Sequence, residues 1–266
     1  MTLSREARWL LEEKYGGEES PAFAADCARL AAGEPVAHVI GWIPFLGLTI
    51  YLDSAPLIPR PETEWWVEAA SQRATVRLGR AARSAGARGL AAETRILDLC
   101  AGSGAIGCAI LKMMPEARVS FGEIEPRHEA TIRKNIRENG LDESRAEIRI
   151  GDLFEPFAGE RFDLILANPP YVPAGRALPA SVTEYEPPEA LYAGGDGLAL
   201  IRRIARELPA HLAPERLPAG RPGEAWVECD SVHAHAAAEL FRAEGFSARI
   251  LPDQYGAPRV IVVSSA

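Results

Sequence analysis

The sequence of 266 residues lacks the signals of several large classes of protein. Its four cysteines are scattered, with no Cys-x-x-Cys pair and no histidines at zinc spacing, which is typical of a reduced, cytoplasmic protein without a zinc module. No apolar run approaches the roughly 18 residues needed to cross a bilayer, and the charged N-terminal segment does not resemble a secretory signal. A formal net charge of −8 argues against a protein whose main task is to coat nucleic acid.

Two phosphate-binding motifs are also missing from the glycine-containing segment at residues 96–107, Ile-Leu-Asp-Leu-Cys-Ala-Gly-Ser-Gly-Ala-Ile-Gly. Cys100 occupies the place of the first glycine of the dinucleotide fingerprint, and no Gly-Lys-Ser/Thr of a P-loop follows. What is present is an apolar strand that leads through small residues into a helix, where a ligand can approach the backbone closely. A plain tight turn between strand and helix explains this segment equally well.

The most informative segment is Asn-Pro-Pro-Tyr at residues 168–171, directly after the apolar strand pattern of residues 162–167. Neither proline has an N–H and each has φ nearly fixed, so the segment cannot continue as a paired strand. The side-chain carbonyl of Asn168 and the backbone carbonyl of Pro169 are therefore two fixed acceptors beside the ring of Tyr171. The two acceptors and the ring are suited to bind the NH2 of a planar amide or of an exocyclic amine. The alternative is that the segment is only a proline-rich turn.

Acidic residues at the ends of two further strand patterns favour a nucleoside site. Glu123 ends the strand pattern of residues 118–123, where a carboxylate can accept hydrogen bonds from both hydroxyls of a ribose. Asp152 follows the strand pattern of residues 146–150, within reach of the base of the same ligand. Surface carboxylates at strand ends are the alternative explanation for both residues.

The order of the predicted elements indicates an α/β fold, because strands and helices alternate from residue 94 onward. This pattern is typical of a mostly parallel sheet that is covered on both faces. The predicted strands lie at residues 94–99, 118–123, 146–150, 162–167, 225–228, 249–251 and 259–263. The predicted helices lie at residues 3–14, 21–32, 62–78, 105–113, 126–138, 197–208 and 232–244. A hairpin is predicted from strands at residues 45–52 and 55–58, with Asp53-Ser54 as its turn.

A basic stretch between residues 71 and 92 contains no acidic residue and stands out in an acidic chain. The spacing of its first four arginines brings them close to one helical face. A solvated face of a long helix explains the stretch, and so does a contact for an acidic partner or RNA. The stretch consists of Arg73, Arg77, Arg80, Arg83 and Arg88.

In combination, these features resemble the S-adenosylmethionine-dependent methyltransferases that alkylate planar nitrogens. Further segments resemble the HemK/PrmC-type release-factor glutamine methyltransferases over nearly the whole chain, from about residue 30 onward. They lie at residues 33–41, 45–48, 57–64 (Leu-Ile-Pro-Arg-Pro-Glu-Thr-Glu), 151–154, 185–191 and 194–198. Three features depart from the commonest family pattern: a shorter N-terminal helical part, Cys100 in place of glycine, and His233 at a C-terminal position where the family often has glutamine. Cysteine at position 100 resembles the related ribosomal-protein glutamine methyltransferases.

The resemblance implies a Rossmann-like, seven-stranded class I methyltransferase domain at residues 61–266. A short N-terminal helical element for substrate recognition, residues 1–36, and a β-hairpin linker, residues 37–60, would precede it. The methyl donor would be S-adenosylmethionine, with S-adenosylhomocysteine as product and no metal. The substrate would be the glutamine of the Gly-Gly-Gln motif of class-I peptide chain release factors, methylated on N5 in support of translation termination. We expect a cytoplasmic monomer that binds neither membrane nor nucleic acid.

The expected site residues combine this chemistry with the resemblance. For catalysis we expect Asn168, Pro169 and Tyr171, and Pro170 joins them in holding the substrate. The resemblance adds Arg60 and Thr63 at the methionine end of the cofactor. The full set expected to bind the cofactor is Cys100, Ala101, Gly102, Ser103, Gly104, Glu123, Asp152, Leu153, Asn168, Arg60 and Thr63.

Three other functions stay open at this point. A glutamine methyltransferase of a ribosomal protein would use the same chemistry on a different partner. A nucleic-acid methyltransferase acting on exocyclic amines would use the same Asn-Pro-Pro-Tyr loop but requires a broad basic channel. A binding module without catalysis is disfavoured, because all four residues of the loop at 168–171 are intact.

Overall fold

The computed structural model describes residues 3–84, 94–214 and 222–265. Its helices are α1 (Arg5–Tyr15), α2 (Pro21–Ala31), α3 (Val36–Ile40), α4 (Pro61–Ser84), α5 (Ala105–Met113), α6 (Glu129–Glu138), α7 (Ala180–Thr183), α8 (Ala199–His211) and α9 (Ala234–Ala243). Its strands are β1 (Trp42–Phe45), β2 (Leu48–Tyr51), β3 (Thr94–Leu99), β4 (Ala117–Glu123), β5 (Ala146–Ile150), β6 (Leu164–Ala167), β7 (Glu224–Glu228), β8 (Phe246–Pro252) and β9 (Pro258–Ser265). Within these ranges, no helix combines the length and apolar character needed to cross a bilayer.

Seven of the strands form one sheet in the order β5-β4-β3-β6-β7-β9-β8. The strands from β5 to β7 are parallel, whereas β9 is antiparallel to both β7 and β8. The strand order reverses between β3 and β6, so the carboxyl ends of both strands open a crevice there. The predicted α/β class and seven-stranded sheet are confirmed.

Two apolar cores cover the two faces of this sheet, and β3 contributes alternate side chains to each. Ile96 packs into the core formed with α4 and α5, whereas Leu97 and Leu99 pack into the core formed with α8 and α9. Every one of these side chains is fully buried. A parallel sheet that is covered on both faces accounts for the near-continuous apolar runs of its strands.

The N-terminal helices form a small separate core with α3. Leu10, Phe23, Val39 and Ile40 are its buried members, the last two from α3. The predicted first two helices are present, and α3 was not predicted. Two helices of this length cannot bury their apolar faces alone, so α3 completes the core between them and β1.

The hairpin lies earlier in the chain than predicted. Asp53-Ser54 is a turn that follows β2, while the hairpin turn is Leu46-Gly47, where φ is 48° and 72°. Positive φ at both central residues is typical of two-residue hairpin turns. Lys112 of α5 donates hydrogen bonds to both turn carbonyls, at 3.1 and 2.7 Å. A distant lysine stabilises this turn, which explains why Leu-Gly gave no turn signal in the sequence.

Candidate functional site

A cleft opens at the carboxyl ends of β3, β4, β5 and β6. Its walls come from the turn after β3, from residues 122–125, from residues 151–153, and from residues 187–190. Seven of the predicted site residues line it: Cys100, Gly102, Glu123, Asp152, Leu153, Asn168 and Pro170. The other predicted residues are not among its walls: Ala101, Ser103, Gly104, Pro169, Tyr171, Arg60 and Thr63.

The turn between β3 and α5 places three residues in the left-handed region of backbone space. Cys100, Gly102 and Gly104 have φ of 64°, 55° and 77°. A side chain at Gly104 would come within 3.0 Å of Ile132, so the close packing of α6 on this turn requires glycine. For a non-glycine residue, this conformation costs on the order of 1 kcal/mol or more. The departure at Cys100 therefore introduces strain into the wall of the cleft.

Glu123 is held rigidly across from this turn. Its side chain accepts the N–H of Gly102 at 2.7 Å on one oxygen and the N–H of Glu125 at 2.9 Å on the other. The residue is buried, yet it lines the cleft. Each carboxylate oxygen keeps a second acceptor position, which suits a pair of vicinal hydroxyls.

An apolar surface lies beside Glu123. Ile124 is 57% exposed and lines the cleft, so its apolar side chain is available to a ligand there. Leu153, with φ of 47°, adds a second apolar group to the walls. A carboxylate next to a flat apolar surface fits a nucleoside, with the ribose at Glu123 and the base against Ile124.

Asp152 also lines the cleft, but its carboxylate is engaged by α8. Arg203 pairs with it at 3.0 Å, and both side chains are about 40% exposed. A contact between Asp152 and the base of a ligand stays a prediction. Sequence analysis had no signal for Arg203.

His128 is a cleft residue that sequence analysis missed. The residue is 3% exposed, and its Nδ1 lies 2.7 Å from the hydroxyl of Ser54, which in turn lies 2.7 Å from the hydroxyl of Thr131. Burial lowers the pKa of His128, so the ring is neutral at pH 7. Ser54 belongs to the turn after β2, and the contact therefore ties the linker to the cleft wall.

The loop at residues 168–171 leaves the end of β6 beside the cleft. The side-chain Nδ2 of Asn168 lies 3.4 Å from Oγ1 of Thr63, near the start of α4. The hydroxyl of Tyr171 donates to Glu228 at 3.2 Å, and burial raises the pKa of this tyrosine. The side chains of Asn168 and Tyr171 therefore both contact residues that lie far away in the sequence.

Glu228, the last residue of β7, contacts both Thr63 and Tyr171. Its carboxylate accepts hydrogen bonds from the hydroxyl of Thr63 at 2.8 Å, from Nε1 of Trp66 at 2.7 Å and from Tyr171. The residue is 1% exposed, and burial raises its pKa against the effect of these donors. Sequence analysis missed Glu228, although it is an acidic residue at the end of a central strand, as Glu123 is.

Arg60 contacts a second acidic residue. Its Nη2 lies 2.6 and 2.8 Å from the two oxygens of Glu186, which also accepts the N–H of Ile58 at 3.3 Å. The side chain of Glu186 is 1% exposed. This ion pair fastens the loop that contains the cleft residues Pro187 and Glu189 to the segment before α4. A role of Arg60 and Thr63 at the methionine end of a cofactor stays a prediction.

Two arginines of the basic stretch form ion pairs inside the molecule. Arg73 and Arg77 of α4 both pair at 2.7 Å with Glu224, the first residue of β7. Glu224 is 4% exposed, so these two arginines neutralise a buried carboxylate. Of Arg80 and Arg83 the structure describes the helical backbone alone, and Arg88 lies outside the described residues.

The fold and the cleft together define the class of protein. A seven-stranded sheet with the antiparallel β9 inserted between β7 and β8, a glycine turn after β3 and an acidic residue ending β4 constitute the class I methyltransferase fold. The family described as "Methyltransferase small domain" matches residues 87–196. Among the described residues, no group of three or more His, Cys, Asp or Glu side chains is placed to hold a metal ion.

Sequence relatives identify the family within this class. The release factor glutamine methyltransferase of Deinococcus radiodurans is 32% identical over 97% of this chain and 85% of its own length. The enzyme of that name from Geobacter sulfurreducens is 37% identical over 74% of this chain and 63% of its own length. The chain belongs to the release factor glutamine methyltransferase family, as the sequence predicted. The match spans slightly less than two thirds of the Geobacter sulfurreducens relative.

Solved structures share the fold at low sequence identity. The hMettl16 catalytic domain in complex with MAT2A 3'UTR hairpin 6 superimposes with a TM-score of 0.54, at 15% identity over 83% of this chain and 76% of its own. The human methyltransferase 10 domain containing protein gives a TM-score of 0.52, at 15% identity over 83% of this chain and 90% of its own. These similarities show the fold alone.

Proposed function

We propose that this protein transfers a methyl group from S-adenosylmethionine to the side-chain amide nitrogen of a glutamine. The glutamine is that of the Gly-Gly-Gln motif of a class-I peptide chain release factor. The observation that carries the proposal is the Asn-Pro-Pro-Tyr loop, which leaves β6 at the edge of a cleft suited to a nucleoside. Membership of the release factor glutamine methyltransferase family supports the choice of substrate.

The residues of the cleft fit the proposed cofactor. Glu123 would accept hydrogen bonds from the ribose hydroxyls, and Ile124 would cover one face of the adenine. The turn at residues 100–104 would receive the methionine part against its backbone. When bound, S-adenosylmethionine supplies an electrophilic methyl group.

The chain's own residues would orient the nitrogen that receives this methyl group. A neutral amide nitrogen is a poor nucleophile because its lone pair is delocalised into the carbonyl. Asn168 Oδ1 and the carbonyl of Pro169 would accept the two amide hydrogens and stabilise the positive charge that develops on nitrogen during transfer. The ring of Tyr171 would pack beside the charge. No strong base is required, because the product cation is acidic and loses its proton readily.

The location of two arginines favours a protein substrate over RNA. A nucleic-acid methyltransferase needs a basic channel along its cleft. Arg73 and Arg77, the first two residues of the basic stretch, are instead paired with Glu224 between α4 and β7. The chain as a whole carries a formal net charge of −8.

The test uses S-adenosylmethionine labelled on its methyl group, this protein and a purified release factor. A release factor with the glutamine of Gly-Gly-Gln changed to alanine is the control, and peptide mass mapping locates the label. We expect label on this glutamine alone. Label on a ribosomal protein or on RNA, with none on the release factor, would overturn the proposed substrate.

A further inference from the structure

We propose that Glu228 is a positioning residue, which acts through Thr63 to fix the side-chain amide of Asn168 with its oxygen toward the substrate. The inference rests on the proposed function, because Glu228 would orient Asn168 toward the substrate amide proposed above. It follows from the direction of three hydrogen bonds.

The first step concerns the single hydrogen of the Thr63 hydroxyl. The indole N–H of Trp66 can only donate, and it lies 2.7 Å from Oε2 of Glu228, so this oxygen is an acceptor and any proton that the buried carboxyl binds lies on Oε1. Oε2 also lies 2.8 Å from Oγ1 of Thr63, so the threonine must donate its hydrogen to Glu228. Oε1 lies 3.2 Å from the hydroxyl of Tyr171. Glu228 thus contacts three side chains in a fully buried position.

The second step concerns Asn168. Because the only hydrogen of the Thr63 hydroxyl is directed at Glu228, this oxygen can face its next neighbour only as an acceptor. The neighbour is the side-chain amide of Asn168, at 3.4 Å. Its NH2 must therefore point to Thr63, and its Oδ1 is left for the cleft, which Asn168 lines. The opposite orientation would bring two acceptors together at Thr63.

The orientation of the Asn168 amide decides whether its oxygen or its NH2 faces the substrate. With Oδ1 toward the cleft, Asn168 can accept a hydrogen of the substrate amide. With the amide rotated by half a turn, its NH2 would meet the NH2 of the substrate and repel it. Tyr171 is fixed by the same carboxylate, so Glu228 orients both side chains that surround the nitrogen.

The test compares Thr63→Val with Thr63→Ser. Valine has nearly the same shape but no hydroxyl, so the Asn168 amide loses its fixed orientation. We expect kcat for the release factor to fall about 10- to 100-fold, a loss of the size seen when one oriented polar group is removed from an active site. Thr63 is buried and does not line the cleft, so affinity for S-adenosylhomocysteine, measured by calorimetry, and KM should stay within about threefold. Serine retains the hydroxyl and should restore kcat.

Glu228→Met tests the origin of the effect, since it removes the acceptor and leaves the threonine hydrogen free to turn toward Asn168. Glutamine would not do so, because its amide oxygen would still accept from Trp66 and Thr63. We expect a loss of kcat similar to that of Thr63→Val. The matched control is Thr75→Val in the same helix, an exposed residue whose hydroxyl donates to the carbonyl of Ser71. This control should leave kcat unchanged. Unchanged kcat in Thr63→Val would overturn the inference, as would an equal loss in Thr63→Ser.

A second measurement does not depend on transfer. In ¹⁵N spectra, the side-chain NH2 of Asn168, identified by its absence in Asn168→Asp, should exchange slowly with water in the wild type and in Thr63→Ser. It should exchange quickly in Thr63→Val and Glu228→Met. Equal exchange in all four proteins would overturn the inference. Absence of transfer by the wild type, with the exchange pattern as expected, would count against the proposed substrate alone.

Discussion

At the scale of single residues, the most unusual environment belongs to Asp98 of β3, which lies beneath the turn of the cleft. Its Oδ2 accepts the N–H of Gly107 at 2.8 Å, and its Oδ1 is buried without a partner among the described residues. Burial raises the pKa of this carboxyl to about 7. Glu123 adds to the rise, whereas the hydrogen bond from Gly107 opposes it.

The raised pKa predicts how stability depends on pH. The folded state binds the proton of Asp98 more tightly than the unfolded state, so this contribution to stability is present below pH 4 and is lost as the pH rises toward 7. In Asp98→Asn the side chain does not titrate but still offers an oxygen to Gly107. The free energy of unfolding of this variant, relative to wild type, should therefore increase by up to about 4 kcal/mol between pH 4 and pH 8.

Urea unfolding of both proteins across this pH range measures the difference. Asp142→Asn is the control, because hydrogen bonds from Ser144 lower the pKa of that exposed carboxyl. For this control, the unfolding free energy relative to wild type should change little with pH, and in the opposite direction. Parallel curves for wild type and Asp98→Asn would show that Asp98 titrates normally.

Asn168 gives the second prediction at this scale. Replacement by alanine removes the acceptor proposed for the substrate amide but touches neither Glu123 nor the turn after β3. Transfer to the release factor should fall by at least about 100-fold, in the range measured for the loss of one oriented group at an active site. Binding of S-adenosylhomocysteine, measured by calorimetry, should change little. An equal loss of cofactor affinity would mean that Asn168 mainly holds the cofactor.

At the scale of elements, α4 is tied to the sheet by the ion pairs of Glu224 with Arg73 and Arg77. Burial would raise the pKa of Glu224, but the two arginines outweigh burial and hold the pKa below its ordinary value. The stabilisation is therefore present above the ordinary pKa and is lost as the pH falls. Pairing of this kind accounts for two of the five arginines of the basic stretch.

Glu224→Gln tests this attachment. The variant leaves two arginines facing a neutral side chain, and the free energy of unfolding at pH 7 should decrease by about 2 kcal/mol. Glu129→Gln is the matched control, because it removes an exposed pair with Arg133 one turn apart on α6 and should cost less than about 0.5 kcal/mol. Equal losses of unfolding free energy in the two variants would show that the buried ion pairs stabilise the fold no more than the exposed pair does.

The elements also show where prediction from sequence ends. The strands β3 to β6 and the helices between them were predictable, because apolar runs and glycine turns are local features. The hairpin turn at Leu46-Gly47 was not predictable, since it depends on Lys112, which lies about 65 residues away. The same applies to the site. Asn168 and Glu123 follow strands that sequence analysis recognised, whereas the contact of Glu228 with Thr63 spans 165 residues and leaves no local pattern.

At the scale of the whole molecule, the proposed cofactor would add contacts between both halves of the parallel sheet, because the cleft lies between β4 and β5 on one side and β6 on the other. A ligand that binds the folded state alone stabilises it by about 2.7 kcal/mol at 100 times its dissociation constant. For a chain of this size, we expect S-adenosylhomocysteine to raise the melting temperature by roughly 5 °C or more.

Glu123→Gln should reduce this rise, because one carboxylate oxygen becomes a donor and no longer accepts a ribose hydroxyl. The quantity to compare is the ligand-dependent shift, since the variant also weakens the contact with Gly102 and lowers the melting temperature of the free protein. Glu147→Gln, an exposed site on β5 away from the cleft, is the control and should show the full wild-type shift. A full shift in Glu123→Gln would place the ribose elsewhere in the cleft, and no shift in any of the three proteins would contradict the proposed cofactor.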